Sequence, residues 1–184
     1  MGLDLDRTEF SLRPMTVADA DMVLEWRNQE HIRKNMYTDH IIQPDEHAAW
    51  TARMIEDDRC DYYIFEHRSR PIGLVGFYDI RPDHKRADWA FYLGVTDAPK
   101  GAGPAMEFFA ISKVFEEHAI EKLCCEILTF NSGVIKLHER FGFVHEGLLE
   151  AHYWKDGSLD VARMALFKAT WEEISQSQAA GLFH

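Results

Sequence analysis

The stretch that most constrains this chain runs from Asp88 to Ala119. "DWAFYLGV" alternates like a strand, "TDAPKGAGP" follows it, and "AMEFFAISKVFEEHA" then reads as a long apolar helix. Such a helix must bury its apolar side, and the sheet that holds the preceding strand is the nearest surface for it. Between the two, Gly101 and Gly103 let the backbone turn tightly and approach a ligand with no Cβ in the way. Free amides at a helix start, together with the helix dipole, favour an anion, and Lys100 adds a cation. A pyrophosphate suits this loop. The spacing is neither GxxxxGK[ST] nor GxGxxG, so it points to neither an NTPase nor a Rossmann site. Pro104 removes one donor, and a turn that holds no ligand is the plainer reading of the loop taken alone.

The rest of the chain surrounds this unit with short elements. "EFSLRPM" alternates as a strand ended by Pro14, and Thr16 caps a helix near 17–29 with Asp19 in its first turn. A short helix is predicted in "EHIRKNM", and a longer one from Pro44 to about Asp57, with Asp45 and Glu46 at its positive end. "DYYIFEH" and "IGLVGFYDI" flank a turn at "RSRP" and read as a β-hairpin. A strand over 86–95 leads to the helix at about 104–118, and "KLCCEILTF" is the next strand. Asn131 caps a helix through Arg140, with Gly142 just past its end. "FGFVHEG" and "LDVARMALFK" are two last strands around a turn at "KDGS", before a helix at about 169–177. This order implies an α/β fold: a mixed sheet, largely antiparallel early, with helices on its faces.

A length of 184 residues suits one domain, 1–184. The net charge of −11 speaks against nucleic acid or an anionic membrane as partner. No apolar run is long enough to cross a bilayer, and "MGLDLDRTEF" lacks the apolar segment of a signal peptide. Gly2 does not begin a myristoylation signal, because Arg7 stands where Ser or Thr is wanted. Cys60, Cys124 and Cys125 form no disulfide framework and read as reduced, buried thiols of a cytoplasmic protein. The ten histidines show no metal-ligand spacing, so no metal is expected.

Three side chains beyond the loop could carry chemistry. Alternation puts Cys124, Glu126 and Leu128 on one face of their strand. A carboxylate among apolar neighbours is either a general base, its pKa raised by desolvation, or half of an ion pair with a nearby Arg or Lys. Both readings of Glu126 stand. Asn131 and His138, seven apart, share one face of their helix at a separation of roughly 10 Å. Each has an ordinary reading, as an N-cap and as a satisfied half-buried histidine.

"PKGAG" after a strand, then "EILTFNSGVIKLHERFGFVHEG", resembles the GNAT superfamily of acyl-CoA-dependent N-acetyltransferases. The segments "LEWRN", "DEHAAW", "APKGAGPAMEF" and "HYWKDGSLDVARM" are similar to the acetyltransferases of the pseudaminic acid pathway, which acetylate the 4-amino group of a UDP-linked 4-amino-4,6-dideoxy sugar. The resemblance implies a GNAT-type twisted sheet, mostly antiparallel, with helices on both faces, and acetyl-CoA as co-substrate. It implies that the backbone of Leu93, Gly94 and Val95 holds the pantetheine arm and polarises the thioester. It gives the pyrophosphate to Lys100, Gly101, Ala102, Gly103 and Ala105, and a pantetheine contact to Asn131. Glu126 falls at the position of a carboxylate that removes the amine proton through water. His138 falls where most of the superfamily has the tyrosine that protonates the leaving thiolate. Two residues depart from the pattern: His138 itself, and Ala98 where Gln or Arg is usual. Arg27 would hold the anionic acceptor, with Trp26 or Tyr153 stacking on uracil or sugar. The expected partner is therefore a small-molecule amine, a UDP-amino sugar first, met by a monomer or homodimer. A protein N-terminus or a polyamine is the alternative acceptor, and an inactive acyl-CoA-binding domain is a third reading.

Overall fold

The structure is a computed structural model that describes residues 3–184. Met1 and Gly2, on which the myristoylation reading falls, lie outside the described residues. Seven strands form one sheet: β1 (Phe10–Pro14), β2 (Asp61–His67), β3 (Arg70–Arg81), β4 (Arg86–Leu93), β5 (Lys122–Leu128), β6 (Val144–Trp154) and β7 (Ser158–Phe167). Their spatial order is β1-β2-β3-β4-β5-β7-β6. Every neighbouring pair is antiparallel except β4 and β5. Those two are joined by the crossover helix α4 (Ala102–Glu117), as a parallel pair requires.

The helices lie on both faces. α1 (Ala20–Arg27), α2 (Glu30–Arg33) and α3 (Pro44–Glu56) cover one; α4, α5 (Ser132–Arg140) and α6 (Lys168–Leu182) belong to the other. Strand alternation separates two cores accordingly. Ala87 and Trp89 of β4 and Leu123 and Cys125 of β5 join the large core under α4 and α6. Ile64 and Leu74 join a smaller one with Val23, Trp26, Ile32 and Met54. Among the described residues no helix is long and apolar enough to cross a membrane.

The predicted elements are found with adjustments, the last helix among them, which runs Lys168–Leu182 rather than ending at about 177. Thr16 starts a short 3-10 turn, Val17–Asp19, and α1 proper begins at Ala20. Arg13 grips Asp19 from β1 with bonds of 2.8 and 2.7 Å, which ties that turn to the sheet. "FGFVHEG" is a strand only from Val144, because Gly142 at φ +88° ends α5 and turns the chain first. β6 runs on to Trp154 through an irregularity at Ala151, whose φ is +48° and whose amide is taken by the Asp160 side chain. Cys60 is half-buried rather than buried, while Cys124 and Cys125 are in the interior.

Candidate active site

β4 and β5 pair only from Arg86–Asp88 to Lys122–Cys124 and then part. Trp89 and Cys125 are the first residues past the last pair, and both line a cleft of about 390 Å³ that opens there. The antiparallel partners on the outer sides, β3 and β7, stay bonded throughout, so the gap has rigid walls. Gly103, Glu126, Asn131 and His138 all line this cleft, together with Leu93. Four stretches of chain thus converge on the place where a sheet loses its own hydrogen bonds, and unpaired strand edges there can serve a ligand.

The loop before α4 is narrower in its use than the sequence suggests. Gly101 adopts φ +92°, a left-handed conformation that its lack of a Cβ permits, and it caps α4. A Cβ there would meet Leu5 at 3.1 Å, so an N-terminal residue covers this side. A Cβ on Gly103 would meet nothing within 4 Å, so Gly103 faces open space in the cleft. The Ala102 amide donates to Pro99 O and the Ala105 amide to Gly101 O, both at 3.0 Å. Ala102 and Ala105 therefore cannot serve as donors to a phosphate, which corrects the expectation for them. Of the other loop residues, Gly103 lines the cleft and Lys100 and Gly101 do not.

Gly94 is corrected in the same way. Its amide donates to Ile72 O at 2.9 Å and its carbonyl accepts from Gln29 Nε2 at 3.0 Å. Because Gly94 is turned toward β3, alternation turns the backbone of Leu93 toward the gap. Val95 packs against both cores and does not line the cleft. Asn131 precedes α5 but makes no side-chain cap bond, so the amide of this half-buried residue is uncommitted at the cleft wall.

Glu126 is not desolvated among apolar neighbours. It is exposed, and both its oxygens are held: Oε2 accepts from the Tyr37 hydroxyl at 2.8 Å and Oε1 from Arg163 Nη1 at 2.8 Å. Arg163 also pairs with Asp88 at 2.8 Å, so a short ion network fixes the carboxylate at the mouth of the gap. Burial, then the bond to Glu126, pushes the Tyr37 hydroxyl upward, and it stays a donor. His138 is 2% exposed and meets Glu107 of α4 at 2.7 Å through Nδ1. Its ring lies against Phe143, Trp89 and Phe91.

A second cavity of about 330 Å³ lies on the α1–α3 side and shares Met36, Ala90 and Tyr92 with the first. Arg27, His47, Trp50, Tyr62 and Tyr78 line it. Arg27 Nη2 donates to Thr38 O at 2.7 Å, but Nη1 is buried without a partner, as are the Tyr92 hydroxyl and His47 Nε2. Burial lowers the Arg27 and His47 pKa values and raises that of Tyr92. Buried donors of this kind are costly unless something completes them.

Two stacking candidates fall away. Trp26 is 5% exposed and belongs to the smaller core, where a Cβ on Gly94 would meet its Cδ2 at 2.1 Å. The close approach of α1 to β4 needs both residues, and Trp26 has no face left for a ligand. Tyr153 lines neither cavity: it stacks on Tyr37 with ring centroids 5.0 Å apart and donates to the Tyr37 carbonyl. It clamps the loop that carries the Glu126 partner. Sequence reasoning missed Glu107, Tyr37 and Arg163. Only Glu107 left a signal, as one carboxylate inside the apolar run "AMEFFAIS".

With this geometry in hand, the chain can be compared with known proteins. Residues 9–144 match the family described as the acetyltransferase (GNAT) domain. The SPbeta prophage-derived uncharacterized N-acetyltransferase YokL of Bacillus subtilis is 26% identical over 141 residues, 75% of this chain and 78% of that protein. The spermidine N(1)-acetyltransferase of Vibrio cholerae is 22% identical over 171 residues, 92% of this chain and 99% of that one. A crystal structure of spermidine N-acetyltransferase from Vibrio cholerae, in complex with CoA and spermine, superposes with a TM-score of 0.83 at 21% identity, covering 90% of this chain and 99% of that one.

Proposed function

The chain belongs to the GNAT acetyltransferase family and is an acetyl-CoA-dependent N-acetyltransferase, and we propose that its acceptor is the primary amine of a UDP-linked 4-amino-4,6-dideoxy sugar. Acetyl-CoA supplies the activated thioester. Its fit is supported by the open flank of Gly103, which a side chain would fill, and by the uncommitted amide of Asn131. Lys100 is exposed beside the same loop and adds charge for the pyrophosphate. Leu93 offers the gap-facing backbone that polarises the carbonyl.

Transfer is direct, in a complex that holds both substrates at once. Cys125 lines the cleft, but burial pushes its thiol well above the ordinary range, so a thiolate nucleophile is not at hand. The amine enters from the cavity under α1 and α3, which meets the cleft at Ala90 and Tyr92. Glu126 takes the amine proton through water, and His138 gives a proton to the sulfur that leaves. Holding both partners in one seam lowers the barrier by proximity before any proton moves.

The observation that carries the acceptor class is the buried Arg27 Nη1 without a partner. Arg27 and exposed Arg53 line the cavity, and its one carboxylate, Glu46, already accepts His40 at 3.0 Å. Oxygen-rich anionic groups complete such donors, and Trp50, Tyr62 and Tyr78 offer aromatic faces for a base or sugar. A polyamine is the second reading. It is favoured by the likeness to the spermidine acetyltransferase and by the net charge of −11. Acetyl transfer to a UDP-4-amino-4,6-dideoxy sugar, spermidine and a peptide N-terminus, followed by mass spectrometry, separates the readings. The sugar is expected to react fastest by kcat/KM. A faster polyamine reaction overturns the sugar reading and leaves the acetyltransferase itself standing.

A further inference from the structure

Glu107 sits at the second turn of α4 and is fully buried. A carboxylate in such a place is expensive unless another group shares its charge or its proton. Its Oε1 is 2.7 Å from His138 Nδ1, and its Oε2 has no partner. The groups facing the pair are few. Cys125 of β5 lies near Glu107, and Arg140 of α5 is the other charge that acts on it. Rings of Trp89, Phe91 and Phe143 enclose His138. His138 also lines the cleft.

We propose that Glu107 is a positioning residue that turns His138 Nδ1 into the core and Nε2 toward the cleft, so that the pair holds one proton more than a carboxylate with a neutral imidazole and delivers it to the leaving sulfur. The proposal rests on the reading of His138 as the acid. As the carbon–sulfur bond breaks, its electron pair goes to sulfur and the sulfur takes the proton from Nε2. Nδ1 retains or takes up the proton shared with Glu107. The pair is left as a carboxylate and a neutral imidazole, one proton short, and water restores that proton. Nothing is oxidised or reduced.

Before the transfer the pair is neutral overall; after it, a buried site bears one negative charge. Low dielectric disfavours that state, which favours keeping the proton on the pair until the sulfur takes it. Burial pushing the Glu107 carboxyl upward agrees in direction. This explains how a histidine can stand at a tyrosine position. A lone imidazole, with a pKa near 6.5, is mostly deprotonated at neutral pH and has lost that acid.

The test is a pH titration of the ring nitrogens of His138 in the free protein, by ¹⁵N NMR, in the wild type and in Glu107→Gln. In the wild type the spectra are expected to show Nδ1 in the hydrogen bond to Glu107 and a proton on Nε2. In Glu107→Gln the ring-nitrogen signals are expected to change and the falling limb of kcat to move to lower pH, while the KM for acetyl-CoA stays put. Equal titration curves in the two proteins overturn the proposal. If Glu107→Gln does not fold, the wild type alone decides: a ring whose Nδ1 makes no hydrogen bond, or whose Nε2 carries no proton, overturns it. His138→Ala separates the two levels. Unchanged kcat in that variant removes His138 as the acid. A slow His138→Ala with an unmoved pH limb in Glu107→Gln removes only the role of Glu107.

Discussion

On the face of the sheet under α4 and α6, Phe77, Ile111, Val114, Leu123 and Leu166 are fully buried. The orphan polar atoms there are Trp89 Nε1 and Glu107 Oε2, beside His138, and His118 Nε2 at the end of α4, which lies 2.8 Å from Asp61. On the opposite face α1–α3 cover a smaller and leakier core, with Met15 and Met54 at 8% and Leu74 at 6% exposure. That side leaves Arg27 Nη1, His47 Nε2, Thr51 Oγ1 and the Tyr92 hydroxyl buried without partners. Close packing on the first face gives the cleft proposed for acetyl-CoA a rigid wall. Unfinished hydrogen bonding on the second is the mark of a pocket completed by a ligand. The residues proposed for the chemistry stand between the two: Glu126 and His138 both line the cleft that opens where β4 and β5 part.

The largest effect is expected from breaking that seam. Glu126→Gln keeps the shape and hydrogen-bonding reach of the side chain, and removes the proton acceptor. kcat should fall by about 10²–10⁴-fold with acetyl-CoA affinity nearly intact, as steady-state kinetics and calorimetry would show. Full activity at pH 7 would take Glu126 out of the mechanism.

A smaller, paired effect tests whether the two faces hold different substrates. Gly103→Leu fills the open flank of the cleft, and should raise the KM for acetyl-CoA by about tenfold, a loss of roughly 1–2 kcal/mol. Arg27→Ala should raise the acceptor KM by a similar factor of about ten, the scale of one charged hydrogen bond. Neither should move the other substrate's KM. Crossed effects, with Arg27→Ala weakening acetyl-CoA and Gly103→Leu the acceptor, would erase the division between the faces.

The smallest effect is on stability. Arg13, through its bonds to Asp19, holds the Asp19 carboxyl down at about 2 from an ordinary 3.8, against the opposing pull of desolvation. Because the folded pKa lies below the unfolded one, the stabilisation is complete above pH 3.8 and is lost as pH falls toward about 2. Its size is about 1–2 kcal/mol, since Arg13 is partly in water. Urea unfolding should show Asp19→Asn less stable at pH 6, with the gap closing in that acid window. An equal gap at pH 6 and pH 2.5 would mean the ion pair contributes little.

Periodicity and turn chemistry made much of this legible before any coordinates. The strand–glycine–helix unit, the hairpin at "RSRP" and the α5 face shared by Asn131 and His138 are all written in neighbouring residues. Local sterics and amphipathic spacing decide such features within a turn or two. The resemblance carried by "PKGAG" and "NSGVIKLHERFGF" belongs with them, because it too is a contiguous pattern.

The site's working parts were not legible in that way, because each depends on what a distant element leaves free. Whether the Ala102, Ala105 and Gly94 amides are free is decided by carbonyls of Pro99, Gly101 and Ile72. Trp26 and Tyr153 read as ligand-stacking aromatics until Gly94 and Tyr37 take their faces. Glu126 reads as base or ion-pair partner until Arg163 arrives across β7 and Tyr37 from 89 residues away. Glu107 and His138 are 31 residues apart, and only their shared place in the large core beside Trp89 puts a carboxyl against an imidazole. Residue spacing determines which side of an element a group takes; register between elements, set by the whole core at once, determines which group it meets there.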